Sequence, residues 1–228
     1  MSQDEVFKRG EGDRWFQRNA DYIKREAARH DWVARVLEEL SIEREVKSIL
    51  ELGCSNGWRL HSLEARFPEA KMTGVDVSGD AIRDGQSAYP RLRLLQGSIA
   101  EVPLTETEQF DLVIVNFVLH WVDRTRLSRA VSEIDRLTRD GAVLIVGDFL
   151  PDFQQRRAYH HTPGQNVFTY KQDYAAIFEA LGSYREIMRL NHDHDDLTSH
   201  SVAVGQSGSR GTITALRKSL NGYYFEMK

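Results

Sequence analysis

An α/β architecture, a mostly parallel sheet with helices on both faces, is the fold class this sequence predicts. Three observations carry it. Apolar runs of strand length alternate with helix-spaced stripes, the small-residue turn Gly53-Cys-Ser-Asn-Gly57 joins the first strand to the first such helix, and Asp76 closes the second strand. Strands are expected at 47–53, 71–77, 92–97, 110–117 and 142–149, with helices near 57–67, 79–88 and 124–138. In the last of these helices Leu127, Ala130, Val131, Ile134 and Leu137 form the apolar stripe, and Asp140-Gly141 reads as its C-terminal cap. Ahead of the first strand, Tyr22, Ile23, Trp32, Val33, Val36, Leu37 and Leu40 recur at helical spacing and predict one or two helices over 19–40. Residues 1–20 read as a polar leader, mobile until something binds. After the fifth strand come a polar insert at 150–168 and a helix with Tyr174, Ile177, Phe178 and Leu181 on one face. Two strands near 184–194 and 199–206 follow, and the short join Asp195-Asp-Leu-Thr198 makes them an antiparallel hairpin.

Composition narrows the function classes. The chain has 228 residues, 41% of them hydrophobic, enough for one α/β domain with a full core. That domain divides into an N-terminal helical cap at 1–45, a core at 46–207 and a C-terminal tail at 208–228. Lys plus Arg is 30 against 34 Asp plus Glu, a net charge of −4, which leaves no broad basic field for nucleic acid. Cys54 is the only cysteine, and the N-terminus carries no apolar signal region, so a cytoplasmic protein is expected. No apolar run approaches the roughly 18 to 20 residues that span a bilayer, and no membrane partner is expected.

The glycine turn is a ligand site in prospect. Gly53 and Gly57 carry no Cβ, so a ligand can approach the main chain at a helix N-terminus, and Asp76 can accept two hydrogen bonds from a ribose diol. The spacing is not G-x-G-x-x-G, because Ser55 stands where the second glycine belongs, so a dinucleotide is disfavoured. Gly53-Cys-Ser55-Asn-Gly57 does match G-x-S-x-G, the nucleophile elbow of an α/β-hydrolase with Ser55 as nucleophile. Against this, an elbow follows several strands, whereas everything before Val46 reads as helix or loop.

From Ser48 to Ser207 the sequence resembles the class I S-adenosylmethionine-dependent methyltransferases, motif by motif. Their first motif looks like Glu51-Leu-Gly53-Cys54-Ser55-Asn-Gly57, and their ribose-holding acid looks like Asp76 followed by Val77. Their adenine-flanking third strand is similar to Leu92 through Gly97 with Ser98 and Ile99, although the family often has Asp where this chain has Ser98. Their fourth strand, where methyl transfer takes place, looks like Phe110 to Asn116 running on into Phe117-Val-Leu-His120-Trp121. The resemblance implies a Rossmann-like fold with a mostly parallel seven-stranded sheet and an antiparallel C-terminal hairpin. It also implies S-adenosyl-L-methionine as cofactor and S-adenosyl-L-homocysteine as product. A looser similarity to small bacterial methyltransferases linked to sugar and polysaccharide biosynthesis rests on the leader Trp15-Phe16-Gln-Arg-Asn19 and on Tyr159 to Gly164 and Thr169 to Tyr174. It implies a small-molecule acceptor, a sugar or sugar-derived oxygen, with Trp15, Phe16, Asn19 and Tyr170 at the acceptor.

Methyl transfer needs alignment of the acceptor, water exclusion and, for a hydroxyl or amine nucleophile, a base. The candidates are His120, for which packing beside the cofactor is the preferred reading, and His160 and His161 in the insert. His192 and His194 among Asp193, Asp195 and Asp196 have ligand chemistry, but beside a hairpin turn they read as solvated, and no metal is expected. Cys54 reads as a small turn residue rather than a nucleophile. Asn116 followed by Phe117-Val118, with no prolines, disfavours a nucleobase amine as acceptor. The remaining alternative is a subunit of the same fold that binds the cofactor and transfers nothing.

Overall fold

The computed structural model describes residues 2–25, 27–196 and 207–227. The chain begins with helix α1 (Gln3–Val6), a π-helical turn (Phe7–Glu11) and α2 (Gly12–Arg25). A 3-10 turn (Ala27–His30) then leads to α3 (Trp32–Leu40). The α/β alternation follows as β1 (Ser48–Leu52), α4 (Trp58–Leu63), β2 (Lys71–Asp76), α5 (Gly79–Ala88), β3 (Arg93–Gln96) and β4 (Phe110–Asn116). A 3-10 turn (Leu119–Trp121), α6 (Leu127–Leu137) and β5 (Thr138–Phe149) complete the parallel part. Then come β6 (Gln155–Ala158), β7 (Phe168–Lys171), α7 (Ala175–Glu179), β8 (Tyr184–Asp193) and β9 (Arg210–Lys218).

One sheet of seven strands runs in the order β3-β2-β1-β4-β5-β9-β8. Its first five strands are parallel, and β9 is antiparallel to both β5 and β8. Along β4, Leu112 and Ile114 face one apolar cluster and Val113 and Val115 the other, so both faces of the sheet are covered. The chain order reverses beside β1, and a cleft opens there at the C-terminal ends of the strands, as expected for open α/β sheets.

Several expectations are corrected. The antiparallel partner of β8 is β9 at Arg210–Lys218, inside the stretch expected to be a tail; the expected strand at 199–206 lies outside the described residues. In β9, Thr212, Ile213, Thr214 and Ala215 are buried between β5 and β8. Gly141 does not cap α6. That helix ends at Leu137, where the Thr138 hydroxyl donates to the Ile134 carbonyl at 2.7 Å, and β5 begins at once. The polar insert contains the β6–β7 hairpin.

The leader is not a loose strand of chain. Gln3 is buried, donates to the Trp121 and Phe168 carbonyls at 2.7 Å each, and accepts from the Phe168 N–H at 2.9 Å. Farther on, Asp13 accepts from the Ser78 hydroxyl at 2.7 Å and the Asp80 N–H at 3.0 Å, pinning α2 to the start of α5. The polar residues that looked like a solvated tail are the ones that dock it.

Candidate active site

The cleft is a cavity of about 730 Å³ with a cofactor-like half and an aromatic, basic half. In the first half Gly53 has φ 77°, and a Cβ there would stand 2.1 Å from Val118 Cγ2, so only glycine fits. The Gly53 N–H bonds the Val75 carbonyl at 2.7 Å, locking the turn against β2. Asp76, at the end of β2, accepts from the Ser55 and Ser78 N–H groups at 2.8 Å each. Burial raises its pKa despite these bonds. Cys54, Val77, Ser98, Ile99, Asn116 and Trp121 line the same half. Burial pushes the Cys54 thiol well up, which suits a packing role.

In this half the buried atoms Ser55 Oγ, Asn116 Oδ1 and Trp121 Nε1 have no hydrogen-bond partner among the described residues. An unmet buried donor or acceptor costs about 1–3 kcal/mol, so the cavity wall is complementary to a ligand rich in polar groups. Ser55 and Phe117, both lining the cavity, sit in the left-handed region at φ 53° and φ 54°. Among the described residues no imidazole bonds Ser55 Oγ, and the Ser55 N–H is committed to Asp76, so the geometry gives the nucleophile-elbow match no support.

In the second half His120 is buried beside the end of β4. Asp148 Oδ1 bonds its Nδ1 at 2.9 Å, while Asp148 also accepts the His120 N–H at 3.2 Å and the Phe149 N–H at 2.8 Å. With Asp148 holding Nδ1, Nε2 is the free basic nitrogen at the cavity wall. His160 and His161 also line the cavity, but both are exposed, their rings 3.8 Å apart, with no carboxylate bonded to either among the described residues. Partial desolvation and the neighbouring Arg18 and His160 lower the His161 pKa.

The leader and the insert meet over this half. Tyr159 donates to Glu11 at 3.0 Å, and Arg18 bonds both Glu11 at 2.5 Å and the Tyr159 hydroxyl at 3.0 Å. Phe7 packs on Trp121 and Tyr159, and Trp15 meets Trp121 edge-on. Asn19 lines the cavity and donates to the Trp15 carbonyl at 2.8 Å.

Four expected site residues do not line the cavity. Glu51 is buried beneath the turn and bonds Arg59, which Asp31 holds from the other side at 2.9 Å; desolvation pushes the Glu51 carboxyl up to about 7. Gly57 begins α4 and packs under Leu92 and Leu94. Phe16 is buried with Ile23 and Ala81, because it lies on the α2 face turned toward α5. Tyr170 is on the outer face of the β6–β7 hairpin, its ring under the Arg124 guanidinium at 4.3 Å, while its neighbours Thr169 and Lys171 face the cavity.

Sequence reasoning missed Asp31, Trp32, Arg59, Phe149, Arg157 and Lys171, all lining residues. His192 is also a lining residue rather than a solvated one: it is buried, stacked on Trp32 at 5.3 Å, and burial pushes its pKa down to about 4. Among the described residues no group of three or more His, Cys, Asp or Glu is placed to hold a metal ion. Nor is any described helix long and apolar enough to cross a membrane.

Comparison with known proteins agrees with this geometry. The methyltransferase-domain family matches residues 49–141, from β1 to the start of β5. Residues 49–141 therefore carry a methyltransferase domain, set in the Rossmann-like fold of the class I S-adenosylmethionine-dependent methyltransferases. S-adenosylmethionine is the cofactor of this family. A trans-aconitate 2-methyltransferase of Deinococcus radiodurans is 35% identical to this chain over 115 residues, 50% of this chain and 42% of that protein. A malonyl-[acyl-carrier protein] O-methyltransferase of Hahella chejuensis is 28% identical over 156 residues, 64% of this chain and 55% of that protein. The chain thus spans about half the length of these curated relatives. A Burkholderia thailandensis 1,6-didemethyltoxoflavin-N1-methyltransferase, crystallised with its namesake compound and S-adenosylhomocysteine, shares the fold. Its TM-score is 0.66 at 15% identity, over 94% of this chain and 88% of that one.

Proposed function

We propose that this methyltransferase domain methylates an oxygen of a small-molecule acceptor, a hydroxyl of a sugar-derived metabolite, with His120 as the base. The cofactor, when bound, supplies a methyl group already activated on a sulfonium. Asp76 accepts hydrogen bonds from the ribose hydroxyls through lone pairs left free by Ser55 and Ser78, and Gly53 lets the amino-acid end lie against the main chain. Ser98 and Ile99 flank the adenine, and Asn116 Oδ1 offers an acceptor to the ligand's amino group.

The observation that carries the proposal is the His120–Asp148 pair at the end of β4. Asp148 keeps the Nδ1 proton in place and stabilises the imidazolium that forms when Nε2 removes the acceptor's hydroxyl proton. Trp15, Trp121, Phe149 and Tyr159 supply flat apolar faces of the kind that pack on sugar rings. The Glu11–Tyr159–Arg18 contact closes the cavity to water while the groups are aligned. The test is methyl transfer from labelled S-adenosylmethionine to a panel of sugars, nucleotide sugars and sugar acids, wild type against His120→Gln. A wild type that methylates none of the panel overturns the sugar reading.

A second reading takes support from the relatives, whose named acceptors, trans-aconitate and malonyl-acyl-carrier protein, are acids. A carboxylate oxygen is already a nucleophile and needs no base. Under that reading His120→Gln keeps its turnover with an acid acceptor.

A further inference from the structure

The inner face of the β6–β7 hairpin carries Arg157, Thr169 and Lys171 into the cavity, as the strand period of two requires. Lys171 is buried, yet no carboxylate pairs with it among the described residues. Its ammonium lies 3.7 Å from the Phe149 ring centroid and, among the described residues, donates only to the Gly208 carbonyl. Arg157 converges on the same place, since a Cβ at Gly208 would meet its Nη2 at 2.8 Å. Asp195 and Asp148 act on Lys171 through space only, their hydrogen bonds going to the Ser209 hydroxyl and to His120. Residues 197–206 contain no Asp or Glu that could serve. Two cations facing one space, one of them out of water, repel each other and cost stability unless an anion joins them.

We propose that the acceptor carries an anionic group, a carboxylate or a phosphate, that seats on Lys171 and Arg157. Resting on the methyl-transfer reading, this assigns the acceptor's orientation: the Phe149 ring touches both groups, 3.7 Å from the Lys171 ammonium and 5.2 Å from the His120 ring. One sugar ring stacked on Phe149 can therefore place its anionic end on Lys171 and a hydroxyl at His120. The anion site needs no base and stands or falls by itself.

The test is calorimetric titration of the S-adenosylhomocysteine-loaded protein with D-glucuronate, malonate, glucose 6-phosphate and inorganic phosphate, with uncharged D-glucose as the control. At least one anionic probe is expected to bind about tenfold or more tighter than glucose, and Lys171→Met to remove about 10- to 100-fold of that affinity. Lys171→Arg should restore most of it, because the charge is kept. Preference for the carboxylate probes identifies an acid, and preference for the phosphate probes a phosphorylated acceptor. Arg157→Gln, at an exposed position, repeats the test should Lys171→Met fail to fold. Failure of every anionic probe to bind, or an anion preference that both variants retain, overturns the proposal. Anion binding without methyl transfer to any sugar acid would leave this site standing and reject the proposed acceptor.

Discussion

The cofactor half and the acceptor half of the cavity share walls but differ in origin. Gly53, Ser55, Asp76, Ser98 and Asn116 make the first, all at the ends of neighbouring strands β1 to β4. Trp32, His120, Phe149, Lys171 and His192 make the second, drawn from α3, a 3-10 turn, β5, β7 and β8. In the first half each function follows from local backbone: a positive φ and a strand end. In the second it follows from which distant side chains happen to meet. The difference teaches that changes in the first half should act on cofactor affinity, and changes in the second on turnover, acceptor binding or fold stability.

The sharpest way to break this division is His120. His120→Gln should lower the catalytic rate by about 100- to 10,000-fold with a hydroxyl acceptor, while S-adenosylhomocysteine affinity stays within a few-fold. Equal losses in both would show that the ring serves packing alone. Next in size is Asp76→Ala, expected to weaken cofactor binding by about tenfold to a few hundredfold, each lost charged hydrogen bond counting roughly 1.5–3 kcal/mol. Unchanged affinity in a folded variant, read by calorimetry, would remove Asp76 from the cofactor half.

A smaller effect separates the halves by pH. His192 is held near 4 by burial, below the ordinary 6.5. The unfolded chain therefore takes up its proton first as pH falls, and stability drops between about pH 6.5 and 4, by up to about 3 kcal/mol. Denaturant titrations across that range should show the drop in the wild type and a shallower one in His192→Phe; identical slopes would refute it. The smallest expected effect is that of Tyr159→Phe, which removes the hydroxyl bonded to Glu11 and Arg18 at a cost of about 1 kcal/mol. Amide exchange over residues 3–25 should quicken while exchange over β1 and β4 does not.

These expectations also mark where sequence reading stops. The His120–Asp148 pair was not legible, because Asp148 lies in the middle of an apolar run and shows no spacing relation to His120. Tyr170 looked like an acceptor contact by resemblance of the Thr169–Tyr174 segment, but strand parity turns it outward and Lys171 inward. Glu51 looked like a cofactor ligand from its place in the motif, and the tertiary fold gives it Arg59 instead.

What the sequence by itself determined is the sheet from β1 to β5, the glycine turn and the acid at the end of β2. These depend on hydrophobic period and on backbone angles that few residues can adopt, both of which are local properties. Tertiary structure alone decided that the polar leader docks through Gln3 and Asp13, that β9 pairs at 210–218, and that His120, Lys171 and His192 face one space. Those outcomes depend on pairings between residues far apart in the chain. A buried lysine or histidine carries no mark of its burial in its own neighbourhood, because what removes it from water is contributed by other elements.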